Sequence, residues 1–132
     1  MNLWIIILTA MSEKKISIAI IDDEKDLCFL LSSMLQAQGY KAYSFQTLKT
    51  GLEGIREQQP DWVIIDNNLP DGLGWEKVNE IIDLVPHVNV IKISANPDSD
   101  RARHRDYIHY LVKPIDVNSV IGLIRSTALP NH

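Results

Sequence analysis

Four short apolar runs in this chain each end on a polar side chain, and this feature constrains the fold more than any other. The polar ends, in chain order, are Asp22 with Asp23, Asp66, Ser94 and Lys113. Short apolar runs of this kind are typical of buried parallel strands. Because open parallel sheets bind ligands at the carboxyl ends of their strands, we expect all of these side chains at one edge of one sheet. That set suits a divalent cation and a phosphoryl group.

Helix-like and strand-like stretches alternate along the chain, which predicts βα units around a parallel sheet. The predicted fold class is α/β, a five-stranded parallel sheet in a doubly wound three-layer α/β/α sandwich. Its strands are predicted at about 16–21, 41–44, 62–65, 88–93 and 108–112.

The first predicted helix, about 24–38, has apolar residues at the spacing of one buried face. These are Leu27, Leu30, Leu31, Met34 and Leu35. Gly39 follows, where a glycine often ends a helix. Further helices are predicted before Pro60, where Gly51 and Gly54 weaken the pattern, from about 75 to 85, and after Asp116, which can cap the last one.

Residues 96–107 are polar and contain almost no aliphatic side chain. A fourth helix in this segment is therefore predicted to be short and poorly anchored. Arg101, Arg103 and Arg105 lie in it, either as a solvated helix face or as a basic patch for a partner.

The 132 residues are enough for one domain, and the 45% hydrophobic content supplies one core. The single cysteine, Cys28, is predicted to be a buried thiol in a reducing cytosol. The formal net charge of −4 gives no reason to expect nucleic-acid binding. A cytoplasmic protein without a membrane partner is the resulting expectation.

The N-terminus is apolar over residues 1–10 and polar from there on. Ten residues are too few to span a bilayer, which needs about 20. Residues 1–14 are interpreted as an extension outside the core, with Met11 as the true start. A segment that adds a strand or pairs two protomers, or a membrane anchor, remains an alternative. The domain is then 15–128, with 129–132 as a tail.

Asp22, Asp23 and Asp66 are candidate metal ligands. Carboxylates crowded at one strand mouth repel each other unless a cation relieves them. Mg²⁺ is the natural guest, because it prefers oxygen ligands and is usually held by carboxylates together with phosphate oxygens. The alternative for the first pair is an acidic helix N-terminus that stabilises the helix dipole.

Asp66 is the best candidate for covalent chemistry, since a carboxylate can attack phosphorus and form an aspartyl phosphate. The alternative is a loop aspartate that makes a turn. Lys113 can pair with Asp66 at rest and with a phosphoryl oxygen afterwards. A cis bond from Lys113 to Pro114 is expected to aim the lysine.

Ser94 offers a hydroxyl that a new phosphoryl group can draw inward, unless it only caps the segment that follows it. Tyr110 lies three residues before Lys113. Strand alternation puts its ring on the opposite sheet face, where it can move between buried and exposed positions or serve only for packing.

Taken together, these residues resemble the receiver domain of two-component response regulators, over essentially residues 16–127. The matching residues are Asp22-Asp23-Glu24, Asp66 with Leu69-Pro70 and Gly74, Ser94-Ala95 and Lys113-Pro114. The resemblance implies a flavodoxin-like fold. It also implies a phosphoacceptor switch that assists its own phosphorylation and dephosphorylation, rather than an enzyme.

The resemblance also implies roles and partners. Asp66 would accept a phosphoryl group from a sensor histidine kinase or a histidine phosphotransfer protein, with Mg²⁺ as cofactor. Asp23, Asp66 and the Asn68 carbonyl would ligate the metal, and Asp22 would act through water. Ser94 and Lys113 would contact the phosphoryl oxygens, and Tyr110 would turn inward. The fourth helix, last strand and last helix would bind an output protein or a second, phosphorylated copy.

Three features depart from the family pattern. Asn67 replaces an apolar residue, the interval from Ser94 to Lys113 is short, and the glycine usually found before the last strand is absent. These departures leave the chemistry intact and place the difference on the output face.

Three alternatives stay open. One is the receiver part of a transcriptional regulator whose chain continues past His132. Another is a phosphohydrolase of the haloacid dehalogenase type, although those enzymes place their nucleophile near the start and a second aspartate two residues later, where this chain has Asn68. The third is a receiver-like fold that only binds other proteins.

Overall fold

The computed structural model describes residues 2–12, 14–96 and 107–128. Its main sheet has five parallel strands in the order β2-β1-β3-β6-β7, and a short antiparallel hairpin of β4 and β5 follows β3. The strands are β1 Ser17–Ile21, β2 Lys41–Phe45, β3 Trp62–Asp66, β4 Asn68–Leu69, β5 Gly72–Leu73, β6 Asn89–Ser94 and β7 Ile108–Val112. The five predicted strands and the doubly wound fold are therefore confirmed.

Helices cover both faces of this sheet. The helices that do so are α2 Lys25–Ala37, α3 Leu48–Gln58, α4 Val78–Leu84 and α5 Val117–Ala128, and a 3-10 turn, Gly74–Lys77, leads into α4. A further helix, α1 Leu3–Ser12, precedes β1. Gly39 follows α2 with a positive φ of 94°, which glycine adopts at no steric cost. The Asp116 carboxylate accepts from the Asn118 N–H at 3.0 Å and so caps α5, as predicted.

The core forms two layers because successive strand residues point to opposite faces of the sheet. Ile18 and Ile20 of β1 belong to the layer under α2 and α5, whereas Ala19 and Ile21 belong to the layer under α3 and α4. All four residues are fully buried. This arrangement fixes the carboxyl ends of the strands at one edge.

The predicted inner face of α2 is partly wrong. Leu30 and Met34 are exposed, whereas Cys28, Leu31 and Leu35 are buried. The buried strip follows the i, i+3, i+7 positions from Cys28, so the leucine and methionine lie to one side of the contact with the sheet. The buried thiol predicted for Cys28 is confirmed, and burial raises its pKa.

The glycines within α3 allow close packing on the sheet. A Cβ atom at Gly51 would lie 2.6 Å from Ile21, and one at Gly54 would lie 2.0 Å from the Phe45 ring. Glycine has a low helix propensity, which weakens the helical pattern of this segment in the sequence. The close contact between α3 and the sheet favours glycine at both positions despite that cost.

The N-terminal segment forms helix α1 rather than an added strand, and its apolar residues from Leu3 to Ile7 are exposed. Within the described parts of the chain, no helix has the length and apolar character needed to cross a membrane. The fourth predicted helix and the arginines at 101, 103 and 105 fall in 97–106, outside the described residues.

Candidate functional site

The polar ends of four neighbouring strands meet at the carboxyl edge of the sheet. Asp22 directly follows β1, Asp66 ends β3, Ser94 ends β6 and Lys113 directly follows β7. These strands are adjacent in the order β1-β3-β6-β7. The sequence placed these residues in separate segments, and parallel pairing brings them to one place.

One carboxylate oxygen from each of Asp22, Asp23 and Asp66 lies within 4.8 Å of the other two. Asp22 is fully buried and Asp66 is 5% exposed, whereas Asp23 faces solvent. Three converging carboxylate oxygens, one of them open to water, are a donor set that fits Mg²⁺, which keeps several waters and takes one or two carboxylates.

Local hydrogen bonds fix the Asp22 side chain. Its Oδ1 accepts from the Glu24 backbone N–H at 2.8 Å, and its Oδ2 faces the Lys113 Nζ at 3.0 Å. The Oδ1 therefore has a hydrogen-bond partner, and the charge of this buried carboxylate is balanced by the ammonium beside Oδ2.

The Lys113 ammonium lies among three carboxylates. Its Nζ is 3.0 Å from Asp22, 3.1 Å from Glu24 and 3.4 Å from Asp66. Burial opposes protonation, but hydrogen bonds to Asp22 and Glu24 and the negative charges around it outweigh burial, so the pKa of Lys113 is raised. The Lys113–Pro114 bond is cis, as predicted.

The Asp66 carboxylate has a raised pKa. Burial is the main cause and the charge of Asp22 adds to it, while the charge and hydrogen bond of Lys113 partly oppose the shift. The site therefore holds excess negative charge that a cation would relieve.

Ser94 is buried beside this cluster. Its hydroxyl accepts from the Asn96 N–H at 3.0 Å, and its carbonyl accepts from the Lys113 N–H at 2.9 Å. The hydroxyl thus bonds the backbone two residues further on, while the backbone of Ser94 is tied directly to the lysine. The segment that Ser94 would cap lies outside the described residues.

The loop after Asp66 is tied down by residues that sequence reasoning did not single out. Asp71 accepts from the Leu48 and Lys49 N–H groups at 2.8 and 3.0 Å, so it caps α3 from a distance, and these bonds lower its pKa. Asn68, the predicted carbonyl ligand, lies in this loop at the start of β4 and is exposed. The Asp71 cap has no sequence signal because 22 residues or more separate the partners.

Tyr110 lies on the other face of the sheet, as strand alternation predicts, and packs edge-on against Trp75 at 5.8 Å between ring centroids. The Lys92 Nζ lies 5.2 Å from the Trp75 centroid and 5.4 Å from the Tyr110 centroid. Lys92 is itself only 6% exposed. Sequence reasoning missed this cation–π cluster, although a lysine inside an apolar strand was a visible signal.

Comparison with known proteins gives one family. The family model described as response regulator receiver domain matches residues 18–125. The match includes all strands of the main sheet, apart from the first residue of β1, and every site residue discussed above.

Individual relatives agree with this match. The chain is 28% identical over 115 residues to the polar-differentiation response regulator DivK of Brucella ovis, covering 83% of this chain and 94% of DivK. A receiver domain protein (CheY-like) from Methanospirillum hungatei superposes with a TM-score of 0.78 at 21% identity, covering 86% of this chain and 94% of that one. A response regulator from Burkholderia pseudomallei, crystallised with a phosphorylated aspartic acid and a calcium ion, superposes with a TM-score of 0.72 at 19% identity. The superposition covers 90% of this chain and 76% of that one.

Proposed function

The chain belongs to the response regulator receiver domain family of two-component signalling, and on that premise we propose that Asp66 is its phosphoryl acceptor and that Mg²⁺ is its cofactor. The phosphoryl group comes from a phosphohistidine on a sensor histidine kinase or a phosphotransfer protein. The cytoplasm is its compartment.

One observation carries the proposal. The Lys113 ammonium lies 3.4 Å from the buried Asp66 carboxylate, beside a cluster in which Asp22, Asp23 and Asp66 converge within 4.8 Å. A buried acid with a raised pKa and a paired cation is typical of a functional group rather than of a surface turn.

The transfer is a displacement at phosphorus. A carboxylate oxygen of Asp66 forms a bond to the phosphorus atom while the bond from phosphorus to the donor nitrogen breaks, and the donor imidazole leaves with the electron pair. Lys113 supplies a fixed positive charge beside the transferred group. Asp22 and Asp66 keep the ammonium beside the acceptor oxygens.

The metal would be held by Asp23, Asp66 and the Asn68 carbonyl, with Asp22 acting through water. When bound, Mg²⁺ neutralises charge on the attacking and transferred oxygens. The mixed burial of the carboxylates supports this assignment, because an ion here keeps access to water through the exposed Asp23.

Phosphorylation replaces the −1 charge of the Asp66 carboxylate with a phosphoryl group that carries about −1.5 to −2. Lys113 and the Ser94 hydroxyl are the groups proposed to compensate it. The Ser94 hydroxyl accepts from the Asn96 N–H at 3.0 Å, so its movement toward a phosphoryl oxygen releases that N–H. Tyr110 is proposed to turn inward when Ser94 moves, which changes the surface of β7 and α5 for an output protein or a second copy.

Phosphate uptake tests the proposal. Wild type is incubated with acetyl phosphate and Mg²⁺, and its intact mass is followed. We expect the mass of wild type to rise by one phosphoryl group per chain. No rise is expected when a chelator is present or in Asp66→Asn. Asp83→Asn removes an exposed charge from α4 and is the matched control, which should be labelled like wild type. Labelling of Asp66→Asn would refute the acceptor assignment.

A further inference from the structure

Glu24 is the third carboxylate around Lys113, and neither the predicted metal cluster nor the acceptor chemistry uses it. Its Oε1 accepts from the Lys113 Nζ at 3.1 Å, closer than the 3.4 Å that separates that nitrogen from the Asp66 Oδ2. The contact joins residues 89 positions apart, at the ends of two strands that are not neighbours in the sheet.

Three carboxylates surround the lysine ammonium. Its Nζ donates hydrogen bonds to Glu24 at 3.1 Å and to Asp66 at 3.4 Å, and the Asp22 Oδ2 lies 3.0 Å from it as an ion pair. An ammonium has only three N–H donors. A phosphoryl oxygen on Asp66 that needs one of these donors therefore competes with the present partners.

The contact to Glu24 is the one that is easiest to release. The Glu24 side chain is 60% exposed, whereas that of Asp22 is 0% and that of Asp66 is 7% exposed. A released Glu24 carboxylate is solvated by water, while a released Asp22 would remain a buried charge without a cation beside it. Glu24 and Lys113 also both line a cleft of about 530 Å³, so the glutamate has room to move away from the lysine.

We infer that Glu24 is a positioning residue that holds Lys113 in the unphosphorylated protein and competes with the phosphoryl group for it. The inference rests on the proposed acceptor function of Asp66. Glu24 acts through the lysine and does not touch the reacting atoms. Its competition slows transfer to Asp66, because the ammonium must be freed in the transition state.

The test measures phosphorylation by acetyl phosphate with Mg²⁺ in wild type, Glu24→Gln and Glu24→Asp. We expect Glu24→Gln to raise the maximal rate about two- to fivefold, the range of an exposed ion pair, with the half-saturating donor concentration unchanged. Glu24→Asp keeps the charge on a shorter side chain, so its maximal rate should lie between those of wild type and Glu24→Gln. Asp26→Asn, which removes an exposed charge from the same helix turn, should match wild type.

A second background isolates the contact. In Lys113→Ala the glutamate has no ammonium to hold, so adding Glu24→Gln should change nothing. Three results would each overturn the role of Glu24. They are an unchanged maximal rate in Glu24→Gln, an equal rise of that rate in Asp26→Asn, and a rise that persists in the Lys113→Ala background. Wild type that takes up no phosphoryl group would instead overturn the acceptor function and this inference together.

Discussion

Gly74 touches the backbone of Asp66 so closely that any side chain is excluded, since a Cβ atom there would lie 2.1 Å from the Asp66 carbonyl oxygen. Gly74→Ala should therefore push the acceptor strand out of place and lower the free energy of unfolding by about 1–3 kcal/mol. Gly122→Ala, in α5 with nothing within 4 Å, is the control and should stabilise by about 0.5–1 kcal/mol. Denaturant unfolding of both variants checks this, and equal midpoints would contradict it.

Asp71 ties the acceptor loop to the start of α3 through two backbone N–H groups. Because these bonds lower the pKa of Asp71 in the folded state, its contribution to stability is present above the unfolded pKa and is lost as pH falls through the folded pKa. Asp71→Asn should lower the Tm by a few degrees near neutral pH and by less in acid. A gap between wild type and variant that stays constant across this pH range would contradict the cap.

The contribution of Asp66 to stability changes with pH in the opposite direction. Its folded pKa is raised by burial and by Asp22, so its contribution to stability is present below the unfolded pKa and is lost as pH rises through the folded pKa. At neutral pH without divalent cations, Asp66→Asn should therefore raise the Tm by a few degrees. Added Mg²⁺ should raise the Tm of wild type more than that of the variant. Thermal scans with chelator and with Mg²⁺ check both statements, and a lower Tm for the variant in chelator would contradict them.

Trp75 is placed to report on the site. Its indole N–H donates to the Ile65 carbonyl at 3.4 Å, and its backbone N–H donates to the Asn67 side chain at 3.2 Å, so it contacts both neighbours of Asp66. Trp62 begins the same strand that Asp66 ends, roughly 13 Å away at the usual strand rise. Mg²⁺ should change the tryptophan emission of wild type and of Trp62→Phe, but not that of Trp75→Phe. The reverse pattern would place the cation elsewhere.

The strands and the set of charged strand ends were predictable because both follow from local patterns. Apolar runs predict buried strands, and parallel pairing sends Asp22, Asp66 and Lys113 to one edge without further information. The cis bond before Pro114 was likewise predicted from one dipeptide.

Contacts between distant segments were not predictable. Nothing in the order of residues shows that Glu24 contacts Lys113 or that Asp71 caps α3, because both contacts depend on how loops of separate βα units meet. The wrong assignment of Leu30 and Met34 has a similar cause. Helix periodicity predicts an apolar stripe, but the packing of α2 on the sheet decides which part of that stripe is buried.

The position of the phosphoryl group along the chain decides whether Asp66 is the acceptor. After incubation with acetyl phosphate and Mg²⁺, borohydride reduces an aspartyl phosphate to homoserine, and peptide mass analysis locates the reduced residue. We expect homoserine at position 66 alone, in wild type and in Glu24→Gln. Reduction at Asp22 or Asp23, or an unmodified Asp66 in protein that has gained a phosphoryl group, would contradict it.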